Sequence, residues 1–85
     1  MSQPNITVYG SNSCQDTVRA TRYLDSRQVP YEFKDVDESP EYNEYIAGLN
    51  NGKRVIPTIR INNKNLINPD DIALGQAMDE ATAAG

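Results

Sequence analysis

The chain has 85 residues, a single cysteine, no histidine and a net charge of -4 from 8 basic and 12 acidic side chains. One cysteine excludes an internal disulfide and an all-cysteine zinc site, and the lack of histidine removes the commonest metal ligand and the usual general base. Hydrolysis by a Cys–His or Ser–His pair within the chain is therefore excluded, and no metal site is expected.

The length suits one domain over 1–85, with residues 1–4 and 80–85 expected to fray. The acidic balance, with no run of basic residues, argues against nucleic acid. No stretch approaches membrane-spanning length, and Met1-Ser2-Gln3-Pro4-Asn5 lacks the regions of a signal peptide. A free thiol without an export signal points to a reducing cytoplasm.

Ile6 to Tyr9 is the first predicted strand, with Ile6 and Val8 on one face. Ser11-Asn12-Ser13 leads to Cys14, and a helix follows from about Gln15 to Arg27, carrying Val18, Thr21, Tyr23 and Leu24 on adjoining turns. Pro30 blocks further helix and introduces a second strand, Tyr31 to Val36. Ser39-Pro40-Glu41 is a helix start: a capping hydroxyl, a proline at the first helical position and an acid in the first turn. Tyr42, Tyr45, Ile46 and Leu49 then fall at i, i+3, i+4 and i+7, a stripe expected to be buried.

Asn50-Asn51-Gly52 ends that helix. A third strand is predicted from Thr58 to Ile61, with Pro57 at its entrance. Asn62-Asn63 supplies a tight turn, and Lys64 to Ile67 return as the fourth strand. Asn68-Pro69-Asp70-Asp71 opens a last helix, with Ile72, Leu74, Ala77 and Met78 as its apolar side.

The order β-α-β-α-β-β-α describes an α/β fold. Its first two strands are parallel through a right-handed crossover, and its last two form an antiparallel hairpin. The second helix belongs on one face of the sheet, the first and third on the other. Cys14 then lies at the C-terminal edge of a central strand, where open α/β sheets place their sites. A thiol at a helix start meets unpaired N–H groups and the positive helix end, and both favour the thiolate. A lone free cysteine is more often an inert buried thiol. The polar neighbours Asn12, Ser13, Gln15 and Asp16 favour the reactive reading.

Residues 5 to about 80 resemble the thioredoxin fold and, within it, the glutaredoxin family. Cys14-Gln15-Asp16-Thr17 stands where the family has Cys-Pro-Tyr-Cys or a one-cysteine variant. Lys53-Arg54-Val55-Ile56-Pro57-Thr58 is similar to its Arg-Thr-Val-Pro segment, and Asn68-Pro69-Asp70-Asp71 to its Gly-Gly-x-Asp-Asp. The resemblance implies a four-stranded mixed sheet flanked by three helices. It also implies that Cys14 is the nucleophile taking glutathione from a mixed disulfide. Pro57 would be cis and present the backbone of Val55 and Ile56 beside Cys14, pairing with the cysteinyl part of glutathione by strand addition. Asp70 and Asp71 would hold its γ-glutamyl end, and Lys53 and Arg54 would lie near its glycyl carboxylate.

Several positions depart from the family pattern. Thr17 replaces the second cysteine and closes the two-cysteine route, while its hydroxyl can still hydrogen-bond the thiolate. Asp16 opposes the thiolate, Ser11 replaces a lysine, and Asn68-Pro69 replaces glycines. The expected function is a monothiol oxidoreductase with glutathione or a similar low-molecular-weight thiol as co-substrate and no permanently bound cofactor. Its partner would be a glutathionylated or disulfide-containing protein, met as a monomer. The alternatives are a redox-inactive or weakly active binding module on this fold, or a glutathione-dependent iron–sulfur carrier in which two chains each contribute Cys14.

Overall fold

Residues 4–84 are described in a computed structural model, and its seven elements follow the predicted order. Strand β1 spans Ile6–Gly10, β2 Glu32–Asp35, β3 Thr58–Ile61 and β4 Lys64–Ile67. Helix α1 spans Gln15–Ser26, α2 Pro40–Gly48 and α3 Asp71–Ala84. The strands lie side by side as β2-β1-β3-β4. β1 is parallel to β2, with Val8 opposite Phe33, and antiparallel to β3, with Tyr9 opposite Thr58. β3 and β4 form a hairpin in which Ile61 faces Lys64. Its turn begins with Asn62 at φ 55°, a left-handed conformation that asparagine tolerates.

Strand alternation sorts the core into two layers. Ile6 and Val8 pair with Ile61 and Ile59, so all four face one side. There they meet Ala20 and Leu24 of α1 and Leu74, Ala77 and Met78 of α3. On the other side Tyr9, Val36 and Ile46 of α2 form a smaller cluster with Tyr42 and Ile56. Fully burying a side chain such as Leu24 or Ile46 contributes roughly 2 kcal/mol of hydrophobic stabilisation. One helix therefore covers one face and two cover the other, as the chain order implies. Among the described residues no helix is long and apolar enough to cross a membrane.

Three sequence expectations are corrected. In α2 only Ile46 is fully buried, while Tyr45 and Leu49 are 40% and 37% exposed. The helix is short and covers only the Tyr9 end of the sheet. Tyr45 lies against the Tyr9 ring, centroids 5.4 Å apart, and its hydroxyl accepts a hydrogen bond from Arg60. In α1 the buried side is Thr17, Ala20 and Leu24, with Val18 and Thr21 only partly covered. Ile72 is 74% exposed, because helical spacing puts it on the side of α3 away from Leu74, Ala77 and Met78. Helix α3 extends to Ala84, into the tail expected to fray; residues 1–3 and 85 lie outside the described region.

All three helices start at the same edge of the sheet. β1, β2 and β4 run in one direction and each feeds directly into a helix. Arg19–Asp71 (2.8 Å) and Arg27–Asp79 (3.1 Å) tie α1 to α3 at matching intervals, as expected for helices running the same way. Each helix has one acid in its first turn, Asp16, Glu41 and Asp71, and none has a base in its last turn.

Candidate active site

β1 ends at Gly10, and the chain turns through Ser11–Ser13 before α1 begins. Cys14 is the N-cap, extended at φ -95° and ψ 121°. Its N–H donates to the Ser11 carbonyl and its carbonyl accepts from the Val18 N–H, both at 3.0 Å. The half-buried thiol closes no capping hydrogen bond of its own, yet the open end of the helix still acts on the sulfur electrostatically. The Thr17 N–H is the largest influence holding the thiol below its ordinary value. Partial burial opposes it, the Thr17 hydroxyl and the Asp16 N–H reinforce it, and the Asp16 carboxylate works against it. The helix end thus outweighs the Asp16 carboxylate in its effect on the thiol.

Thr17 is 1% exposed. The Ser11 N–H donates to its Oγ1 over a long 3.4 Å, and its side chain packs directly on Gly10. A Cβ at position 10 would lie 2.5 Å from Thr17 Cγ2 and 2.6 Å from Oγ1, so any residue but glycine must displace Thr17. Beneath the loop, the buried Ser11 hydroxyl donates to Asp37 Oδ2 at 2.5 Å and lies 2.8 Å from the Ser13 hydroxyl. The position where a lysine was looked for therefore holds a serine bound to a carboxylate.

The second motif segment reaches the same edge through the register of β1 and β3. Tyr9 opposite Thr58 sets Pro57 at the end of the sheet where β1 stops. The Ile56–Pro57 peptide bond is cis. The Thr58 hydroxyl donates to the Val55 carbonyl and the Asn68 N–H to the Pro57 carbonyl, both at 2.8 Å, which fastens this loop to the end of β4. Ile56 packs on the Tyr9, Val36 and Ile46 cluster. Lys53 and Arg54 are exposed, and the Arg54 guanidinium leans away to hydrogen-bond Asn43 on α2.

The third segment opens α3, and both of its acids have partners within the protein. Asp70 caps the helix, its Oδ1 accepting the Ala73 N–H at 2.8 Å and its carbonyl the Leu74 N–H at 2.9 Å. Asp71 accepts from Arg19 at 2.8 Å, and the same guanidinium donates to the Pro69 carbonyl at 3.1 Å. Arg19 also lies 4.0 Å from Asp16. The sequence reading passed over Arg19 and Asp37, whose partners are distant in the chain. A depression of about 390 Å³ opens on Cys14, lined by Asn12, Ser13, Gln15, Val18, Arg19 and Arg22.

Residues 6–67, most of the chain, match the glutaredoxin family model. The protein belongs to the glutaredoxin family. It is 32% identical to Mycoredoxin 1 of Corynebacterium glutamicum over 56 residues, covering 66% of this chain and 68% of that protein. Among solved structures it is similar to the glutaredoxin of Archaeoglobus fulgidus, with a TM-score of 0.75 and 18% identity over 87% of this chain and 85% of that one. A buckwheat glutaredoxin–glutathione complex gives a TM-score of 0.74 and 17% identity over 94% and 81% of the two chains. These structural likenesses establish the shared thioredoxin-like fold. The family is one of thiol–disulfide oxidoreductases, and Cys14 is the one thiol this glutaredoxin carries.

Proposed function

We propose that this glutaredoxin is a monothiol oxidoreductase exchanging glutathione, or a similar low-molecular-weight thiol, at Cys14. The observation that carries the reading is a thiol held below its ordinary value at the start of α1, in a chain with no second thiol. The Cys14 thiolate attacks the glutathionyl sulfur of a mixed disulfide. A Cys14–glutathione disulfide forms, the original S–S bond breaks, and the substrate leaves as a thiolate that takes a proton from water. A second glutathione thiolate then attacks the glutathionyl sulfur, releasing oxidised glutathione and returning Cys14 as the thiolate.

Thr17 supports the thiolate through its N–H and hydroxyl. The N–H and C=O of Ile56 make no hydrogen bond to another described residue, which leaves them open to pair with an extended ligand backbone beside Val55 and Pro57. Asp70 and Asp71 receive the ligand's amino end, Asp71 alongside Arg19, and Lys53 receives a carboxylate at its other end, joined by Arg54 once that side chain leaves Asn43. The protein acts as a single domain and a monomer in a reducing cytoplasm, on glutathionylated or disulfide-containing proteins.

Glutathione-dependent reduction of a small mixed disulfide tests this reading, comparing the wild type with Cys14→Ser. Activity present in the wild type and absent in the variant is expected. Absence from both excludes glutathione; absence with other low-molecular-weight thiols as well overturns the reading and favours a binding module, which the local partners of Asp70 and Asp71 would suit. In that case Cys14 should alkylate no faster at neutral pH than an unperturbed thiol.

A further inference from the structure

The depression beside Cys14 is lined by basic and neutral side chains. The protein carries a net -4, yet no carboxylate lines this hollow and two guanidiniums do. Gln15, Val18, Arg19 and Arg22 share one face of α1, running away from the sulfur. The two arginines are in different states. Arg19 is engaged by Asp71 and the Pro69 carbonyl, with Asp16 also near, so its charge is largely answered within the protein. Arg22 is exposed and makes no ion pair or side-chain hydrogen bond among the described residues.

Reach is consistent with action at the sulfur. Helix rise places the Arg22 backbone roughly 12 Å from that of Cys14, and helical side chains lean back toward the N-terminus. An extended arginine therefore brings its guanidinium to within roughly 7 Å of the thiol. A volume of about 390 Å³ suits a small molecule rather than a protein surface.

We propose that Arg22 is a specificity-determining residue of the Cys14 site, binding a carboxylate of the low-molecular-weight thiol exchanged there. The inference rests on the exchange reading above and adds the class of ligand: a thiol with an anionic group, held on the α1 side of the sulfur. Gln15 and Asn12 supply neutral donors in the same hollow, and Arg19 stays with its own partners.

The test uses the whole protein and two pairs of probes that differ in charge. Cys14 is alkylated with iodoacetate and with iodoacetamide, and its mixed disulfide is reduced with 3-mercaptopropionate and with 2-mercaptoethanol. Wild type, Arg22→Gln and Arg22→Lys are compared at low and high salt. A unit charge about 7 Å away in solvent-facing surroundings favours the anionic reagent roughly three- to sevenfold. That advantage should vanish in Arg22→Gln, persist in Arg22→Lys and fade in high salt, with the neutral reagents unchanged. Parallel losses with charged and neutral reagents, or no loss with either, would overturn the proposal. A loss confined to an acidic peptide disulfide, with both small anions unaffected, would also overturn it and would assign Arg22 to protein substrates. The alkylation ratio judges Arg22 even in a protein that shows no thiol exchange, so failure of the two readings is distinguishable.

Discussion

Replacing Gly10 by alanine should destabilise the protein through one contact, and that contact also lies beneath the thiol. The added methyl would meet Thr17 Cγ2 at 2.5 Å, Oγ1 at 2.6 Å and Cβ at 3.1 Å. Rotating the threonine gives no escape, because it branches at Cβ and turning it exchanges one close atom for the other. Thr17 is 1% exposed and lies in the first turn of α1, so it has no free space to enter. Reaching an ordinary contact near 3.4 Å requires the start of α1 to move by roughly an ångström. Overpacking of this kind costs about 1–3 kcal/mol, offset slightly by the lower chain entropy of alanine in the unfolded state. In a domain of this size that corresponds to a melting point lower by about 5–20 °C. The assay is urea denaturation of the four proteins in a double-mutant cycle with Thr17→Ala. Thr17→Ala removes both close atoms, so Gly10→Ala should then cost little, leaving a coupling of about 1–2 kcal/mol. An equal cost of Gly10→Ala in both backgrounds would refute the argument.

Other consequences can be measured directly. Thr17→Val keeps the shape but removes the hydroxyl that faces the sulfur, so the Cys14 pKa should rise and alkylation at neutral pH should slow; an unchanged pH profile would discount the hydroxyl. Asp16→Asn removes a charge that opposes the thiolate, and the same profile should move to lower pH. The folded thiol lies below its unfolded value, so the wild type should gain stability over Cys14→Ser as pH rises between those two values. It should lose that gain as pH falls through the folded one, which urea midpoints across pH would record. Asp70→Ala should cost about 1 kcal/mol by removing the cap of α3, and Asp71→Asn less than about 1 kcal/mol because its ion pair is solvent-exposed.

Features that depend on neighbours in sequence were legible before the structure. The alternation of Ile6 and Val8, proline at the entry to β3, the Asn62-Asn63 turn and the Pro40 helix start each follow from local conformational preference. Periodicity identified an apolar side for α2 but carried no information about how much sheet lies under it, so Tyr45 and Leu49 were placed too deep. In α1, Val18 and Thr21 look as fit for burial as Thr17 and Ala20, and only the close approach of the helix to Gly10 separates them. At the site, Cys14 was readable from the strand-to-helix boundary, and the Pro57 and Asp70-Asp71 segments from the resemblance to glutaredoxins; the strand order then sets them at one edge. Arg19 with Asp71, Ser11 with Asp37 and Arg54 with Asn43 were not, since long or rotatable side chains meet only after the backbone has closed.

The common direction of the three helices gives the molecule an electrical front and back. Each helix carries partial positive charge at its start and partial negative charge at its end. Here the three starts share the thiol edge and each meets acids, Asp16 at α1, Glu41 at α2 and Asp70 with Asp71 at α3, while Arg27 caps the far end of α1. An acidic protein of this kind repels anions from a distance, and the helix starts themselves draw them to the edge where Cys14 sits. Moderate salt should therefore speed the encounter of small thiolates with Cys14 by damping the net charge of -4.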